Sequence, residues 1–255
     1  MVTAILLSGG IGTRLSSDVP KQYIRIGGRM IITYSLEILI RHPMIDGICI
    51  VAEREWYERI LCEMADLGIP VDKLRGCAQP GQTRQGSIVN GLEYLIMSRS
   101  EGAEYVSPSD QVLIHDAARP VLAEAQISAC LNALKEHEGA MPVLPMKDTI
   151  YMSEDGRRVS SLVDRNKFYA GQAPEAFHLK RYYLANGKLL AQGELNRING
   201  STEPAILAGM DVAMIPGDEN NFKITTAEDL ERFRKLIEKD SMQSSFSGQS
   251  GVYYE

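Results

Sequence analysis

Hydrophobic and polar positions along the chain follow two periods in turn. Apolar runs at residues 2–7 (Thr3 apart), 45–52, 111–114, 140–143 and 212–215 predict strands, the first of them buried. Between these runs the spacing turns helical. Helices are predicted over 30–41, where Ile31, Tyr34, Ile38 and Leu39 fall near one face, over 55–67, and from a polar loop at 81–87 through Leu95. Further helices are predicted over 123–137, 179–192 and 227 to about 239. Thr226 is placed to cap the last of these, with Glu228 and Asp229 in a first turn that favours acidic groups. Trp56, the sole tryptophan, has no ligand-like groups around it in sequence and is expected to pack. Strand and helix in alternation predict a parallel sheet with right-handed crossover helices, an α/β fold with three α/β/α layers.

Some stretches break the pattern. Residues 76–81 read as loop, 193–203 as polar, and 220–226 as a loop with a short strand. The least domain-like part is 147–176, where a strand pair is expected around a turn at Glu154-Asp155-Gly156. Such a stretch has little with which to bury a core of its own, so it is expected to project as a β-arm and pack on something else. Residues 241–255, rich in Ser and Gly, read as a flexible tail. With no internal repeat and no linker, the expectation is one domain over 1–240 that carries the arm.

Composition narrows the function classes. A chain of 255 residues with 44% hydrophobic and 24% charged residues matches a soluble globular protein with a substantial core. No apolar run approaches the ~20 residues needed to span a bilayer. A basic leader followed by a cleavable apolar stretch is also lacking, so the expected location is cytoplasmic, without a membrane partner. Cys49, Cys62, Cys77 and Cys130 are scattered, without C-x-x-C spacing, and read as free thiols. The net charge of −6 argues against a nucleic-acid binder but not against a small anion, for which local positive charge suffices.

The candidate chemistry begins where the first strand ends. Ser8-Gly9-Gly10-Ile11-Gly12-Thr13-Arg14-Leu15 is a glycine-rich turn, closed by Pro20-Lys21-Gln22-Tyr23. Successive N–H groups in such a turn make a concave anion site, and Arg14 and Lys21 stand within reach of it. A dinucleotide fingerprint needs glycine or alanine where Leu15 stands, and a Walker A loop needs a Gly-Lys-Ser/Thr that the chain lacks. What remains suits a polyphosphate. The strand at 111–114 runs into His115-Asp116-Ala117-Ala118-Arg119-Pro120, a carboxylate at a strand end where open α/β sheets bind ligands. Asp116 reads either as a Mg²⁺ ligand, since a hard cation carried by a triphosphate takes one or two protein carboxylates, or as a turn aspartate. His115 reads either as a general base or as a packed, hydrogen-bonded histidine. The loop at 81–87 reads either as an N-capped surface helix or as an anion or ribose site at a helix start.

Taken together, G-G-x-G-T-R (9–14), P-K-Q-Y (20–23), T-R-Q-x-S (83–87), H-D-A-A-R-P (115–120), D-T-I (148–150), D-R-N (164–166) and N-F-K-I-T-T (221–226) resemble one family. It is that of the polyol-phosphate cytidylyltransferases, which act on 2-C-methyl-D-erythritol 4-phosphate or ribitol 5-phosphate. The resemblance implies a Rossmann-like nucleotidyltransferase sheet whose arm embraces a second subunit, and transfer of CMP from CTP to a polyol phosphate with release of pyrophosphate. It implies Arg14, Lys21 and Lys223 as a catalytic cationic clamp and Asp116 as the support of Mg²⁺. Nucleotide contacts fall to Ser8, Gly9, Gly10, Gly12, Thr13, Gly81, Arg84, Ser87 and Ala118. Thr149 and Arg165 would hold the polyol phosphate, with Arg119 supporting the strand-end loop. The implied assembly is a homodimer with shared active sites. Two segments depart from the family pattern: Gln172-Ala173-Pro174-Glu175 stands for its Q-T-P-Q, and Thr202-Glu203-Pro204 for its T-D-D or T-D-E. A non-catalytic nucleotide-binding protein of the same fold is the alternative; it would be expected to have lost a clamp residue or the carboxylate.

Overall fold

The computed structural model describes residues 1–10, 19–98 and 106–247. In chain order the elements are β1 (Val2–Leu7), β2 (Arg25–Ile26), β3 (Arg29–Met30), α1 (Ile31–Arg41), β4 (Gly47–Val51), α2 (Arg54–Asp66), β5 (Leu74–Ala78), α3 (Arg84–Met97), β6 (Gln111–Asp116), α4 (Glu124–Ala133) and β7 (Gly139–Pro145). There follow β8 (Ile150–Met152), β9 (Ser161–Val163), β10 (Tyr169–Gly171), β11 (Glu175–His178), α5 (Leu179–Ala191), α6 (Glu203–Leu207), β12 (Val212–Pro216) and α7 (Ala227–Ser247).

β1 lies at the middle of an eight-stranded sheet, parallel to β4 on one side and β6 on the other. The register sets Leu7 beside both Val51 and Asp116, so three strand ends meet on one line. β5 extends the parallel half beyond β4, while β11 runs antiparallel between β6 and β7. β12 closes the far edge of β7, and β10 pairs with its outer half. Alternation along β1 divides the core between the two faces. Ala4 and Leu6 join Ile48, Ile50 and Leu113 under α1, α2 and α4. Ile5 and Leu7 join Cys49, Val51, Val112 and Ile114 under α3 and α5. These are the three layers expected from the strand–helix alternation. A smaller cluster of Ile26, Ile31, Ile224 and Phe233 fixes α7 to the β2–β3 hairpin.

Four departures from expectation bear on the architecture. Residues 76–81, read as loop, begin inside β5: Gly76 adopts φ +126 at a register shift opposite Ile48 and Cys49, and the Tyr94 hydroxyl donates to the Arg75 carbonyl at 2.7 Å beside it. The glycine marks a bulge, not the end of pairing. No strand forms over 220–226, because this segment's polar groups bond to neighbouring loops instead. The arm is shorter than 147–176. β8 and β9 pair as expected, but β10 and β11 return to the main sheet, where Ala176 and Phe177 are buried. Finally, α7 runs to Ser247 rather than about 239, since no Gly or Pro interrupts the sequence until Gly248.

Candidate active site

The carboxyl ends of β1, β4, β5 and β6 open onto one cleft of roughly 510 Å³. Its walls include Ser8, Gly9 and Gly10 after β1, Lys21 and Gln22 from a short 3-10 turn, Glu53 after β4, and Pro80 to Arg84 and Ser87 at the start of α3. Asp116 and Ala118 after β6, with Lys223 and Thr225 from the late loop, complete it. A crevice beyond the carboxyl ends of parallel strands is the expected ligand site of an open α/β sheet.

Asp116 is the electrostatic centre of the cleft. Arg84 Nε donates to its Oδ1 at 3.0 Å and Lys223 Nζ to its Oδ2 at 2.8 Å. Burial would raise its pKa, but the charges of Arg84 and Lys223 overcome burial and hold the carboxyl well below the usual carboxylate range. It is therefore ionised throughout the physiological range. Each of its oxygens accepts one bond and retains a lone pair. A Mg²⁺ ion that brought phosphate oxygens with it would fit there through a single carboxylate bond. Among the described residues no group of three His, Cys, Asp or Glu side chains could hold a metal unaided.

Lys223 owes its place to a buried hub. Asn221, fully buried, donates to Gln126 Oε1 at 3.0 Å and to the Ala173 carbonyl at 2.6 Å, and its own carbonyl accepts from Arg119 at 2.6 Å. Two residues beyond Asn221, Lys223 leads into Ile224, whose N–H donates to the Ala118 carbonyl at 2.8 Å. That bond stitches the late loop to the end of β6 and aims Lys223 at Asp116. Across the cleft, Thr83 caps α3 by accepting from the Gly86 N–H at 3.0 Å, and the Ser87 hydroxyl accepts from the Gly81 N–H at 3.0 Å. A Cβ on Gly9 would collide with Pro80, and one on Gly81 with the backbone of Gly86 and Ser87. These two glycines are required by close approach of chain to chain.

Of the residues singled out in the sequence, Ser8, Gly9, Gly10, Lys21, Gly81, Arg84, Ser87, Asp116, Ala118 and Lys223 line this one cleft. Gly12, Thr13 and Arg14 lie outside the described residues. Arg119 stands behind the cleft, tied to Asn221. Thr149 and Arg165 are exposed on the arm, where Arg165 donates to the Lys147 carbonyl at 2.6 Å. The two readings of His115 separate: it is wholly buried, Nε2 donates to the Arg119 carbonyl at 2.9 Å, and burial lowers its pKa to about 4. It is a strut and not a base facing the cleft. Trp56 packs as expected, stacked on Tyr23 with ring centroids 4.0 Å apart.

Sequence reasoning passed over Gln22, Glu53 and Asn221. Gln22 and Asn221 stood inside quoted motifs, but their work is done by bonds to distant backbone that spacing does not encode. Of the two departures from the family pattern, Glu175 is buried beside Arg84 and accepts from the Ser201 hydroxyl, while Glu203 accepts from the Asn199 N–H at 2.7 Å, away from the cleft.

Comparison with known proteins agrees with this geometry. The model of the family described as IspD, 2-C-methyl-D-erythritol 4-phosphate cytidylyltransferase, matches residues 2–239. A bifunctional enzyme IspD/IspF from Maricaulis maris is 34% identical over 97% of this chain and 60% of its own length. The chain thus spans about three fifths of the length of the bifunctional relatives it matches. A 2-C-methyl-D-erythritol 4-phosphate cytidylyltransferase from Thermotoga neapolitana is 35% identical over 94% of this chain and 98% of its own. A ribitol-5-phosphate cytidylyltransferase from Streptococcus agalactiae serotype III is 29% identical over 93% of this chain and 96% of its own. Among solved structures, the 4-diphosphocytidyl-2C-methyl-D-erythritol synthase of Anaerococcus prevotii superposes with a TM-score of 0.76. It covers 93% of this chain and 96% of that one at 24% identity, a likeness of fold. With its sheet, its strand-end cleft and a family match over nearly its whole described length, this chain belongs to the 2-C-methyl-D-erythritol 4-phosphate cytidylyltransferase family, IspD.

Proposed function

We propose that the protein transfers CMP from CTP to 2-C-methyl-D-erythritol 4-phosphate and releases pyrophosphate. The observation that supports this reading best is one cleft, lined by Ser8, Gly9, Gly10 and Lys21, in which Arg84 and Lys223 each hold one oxygen of Asp116. A phosphate monoester is largely dianionic near neutral pH, with a second pKa of about 6 for comparable side-chain phosphates. It attacks the α-phosphorus without a strong general base, in keeping with a His115 withdrawn into the core. The bond that forms joins the monoester oxygen to the α-phosphorus; the bond that breaks frees pyrophosphate. The protein's part is to bring two repelling anions into line and to neutralise the charge that develops. In this reading Lys21, Lys223 and Arg84 supply that charge, and Ser8 to Gly10 with Ser87, all of which line the cleft, would receive the pyrimidine. Mg²⁺ held by Asp116 would add positive charge at the triphosphate.

The acceptor is the finer question. Ribitol 5-phosphate is the second reading, kept open by relatives such as the ribitol-5-phosphate cytidylyltransferase of Streptococcus agalactiae serotype III, 29% identical over 93% of this chain. The test is incubation with CTP and Mg²⁺ against a panel of polyol phosphates, with pyrophosphate release as readout. Turnover with methylerythritol phosphate above ribitol phosphate, and with CTP far above ATP or GTP, is expected. Equal turnover with a purine nucleotide would overturn the cytidylyl reading, and preference for ribitol phosphate would move the protein to the second.

A further inference from the structure

Gln22 is buried at 3% exposure, yet it lies at the wall of the cleft and both bonds of its side-chain amide run to backbone. Its Nε2 donates to the Ser8 carbonyl at 2.5 Å and to the Gly10 carbonyl at 2.9 Å. Only the nitrogen end of the amide can serve two carbonyl oxygens, so its orientation is fixed by chemistry. The Tyr23 hydroxyl donates to the same Ser8 carbonyl at 2.9 Å. Burial raises the Tyr23 pKa to about 12, which keeps the hydroxyl a donor, and stacking on Trp56 holds the ring.

In a trans peptide the carbonyl of one residue and the N–H of the next point in opposite directions. Two donors that seize the Ser8 carbonyl therefore turn the Gly9 N–H away from Gln22. Among the described residues neither the Gly9 nor the Gly10 N–H finds an acceptor, although both residues line the cleft. We propose that Gln22, seconded by Tyr23, is the positioning residue of the glycine loop: it captures the loop's carbonyls so that its N–H groups are preset for the phosphates of the nucleotide. The proposal rests on the cleft being a nucleoside-triphosphate site. Without the brace, the loop's carbonyls would be as ready as its N–H groups to face the cleft, and a carbonyl repels a phosphate.

Three variants test the brace: Gln22→Met, of similar shape but without donors, Gln22→Glu, and Tyr23→Phe, which keeps the stack on Trp56. Affinity for CTP and for inorganic tripolyphosphate is measured by calorimetry between pH 5.5 and 8, beside the melting temperature of each variant. Gln22→Met should weaken both ligands by about tenfold or more, since loss of a buried hydrogen bond at a charged site is costly. Tyr23→Phe should weaken both by less, because Gln22 still holds the Ser8 carbonyl. The discriminating result is a crossover. At pH 8 Gln22→Glu should bind worse than Gln22→Met, a carboxylate being set against two carbonyls and the ligand. At pH 5.5 it should bind better, because a protonated carboxyl donates one bond to a carbonyl and methionine donates none. Among the described residues, the charged groups that share the cleft with that position are Lys21, next in the chain, Glu53 after β4, and Arg84, Asp116 and Lys223; Tyr23 and Cys77, with pKa values raised by burial, stay neutral over the range. Wild-type affinity in Gln22→Met, or an unchanged order of the two variants at every pH, would overturn the proposal. Wild-type protein that binds tripolyphosphate without preferring CTP would sink the cytidylyl reading and leave the brace standing. Wild-type protein that binds neither would remove both.

Discussion

Asp116 binds a cation on each oxygen, and that pairing makes the clamp residues unequal in what their loss would do. Lys21 reaches the cleft from the turn after the glycine loop, whereas Lys223 is one of the two cations that hold Asp116 ionised inside the protein. Removing a preorganised group aimed at developing charge costs ~3–4 kcal/mol, about 10²–10³ in rate. Lys21→Ala should therefore lower kcat on that scale. Lys223→Ala should lower kcat similarly and also lower the melting temperature, because a buried carboxylate loses one of its two partners. Turnover assays and thermal melts side by side check both halves; near wild-type turnover in Lys21→Ala would mean the loop holds no triphosphate. His115 makes a second prediction. Its pKa is lowered in the fold from 6.5 to about 4, so the unfolded chain binds a proton that the folded one refuses. Stability is then lost as pH falls from 6.5 towards 4, by up to about 3 kcal/mol from this group. His115→Gln retains an N–H for the Arg119 carbonyl and should lack this part of the acid loss, as read by urea unfolding at pH 7 and pH 4.5. An identical loss in both proteins would show that His115 titrates no differently folded than unfolded.

At the scale of elements, the strands and helices that carry strong periodicity were legible from the chain alone, and so was the gathering of the cleft. The run from Val2 to Leu7 sits at the middle of the sheet because every residue after Val2 is buried, and a stretch without polar alternation suits only that position. The ends of β1 and β6 meet because parallel pairing brings Leu7 beside Asp116, which places Ser8 to Gly10 and the H-D-A-A-R-P turn together. Less legible were elements set by neighbours. β11 is four residues long and opens with Glu175, a charge that argues against a strand until Ser201 and Arg84 are seen to surround it. The β2–β3 hairpin was signalled by Gly27-Gly28, which adopt φ +57 and +81 at its turn, but strands of two residues leave no period to read. The end of α7 is hard to read because the stretch from Ser241, rich in Ser and Gly as a whole, carries no helix breaker before Gly248. Asn221 shows the same limit within the site. Its partners Gln126 and Ala173 lie 95 and 48 residues away, and spacing does not carry information over that range.

At the scale of the whole molecule, the arm is the feature that one chain leaves unexplained. From Met146 to Tyr169 nearly every residue is exposed or half-exposed, and Tyr151 and Leu162 stand 58% and 67% exposed. Among the described residues β8 and β9 pair only with each other, so the apolar side chains they carry lie on no other strand of those residues. Two residues implied in holding the acceptor, Thr149 and Arg165, ride on this arm outside the cleft that contains Lys21 and Asp116. We propose that the arm lies against a second copy of the chain, burying those side chains and delivering Arg165 to the other copy's cleft. An arginine there grips a phosphate through paired, directional hydrogen bonds that lysine does not reproduce. Complementation separates the arrangements. Arg165→Ala and Lys21→Ala subunits, each inactive alone, are mixed under conditions that permit exchange, with exchange verified by mass. If the sites are shared, a mixed dimer holds one site with both lesions and one with neither, and its activity approaches half that of a wild-type dimer. If each arm serves its own cleft, every site in the mixture carries one lesion and activity stays absent. Absence of activity after verified exchange would reject the shared site and leave the transferase reading to its own test.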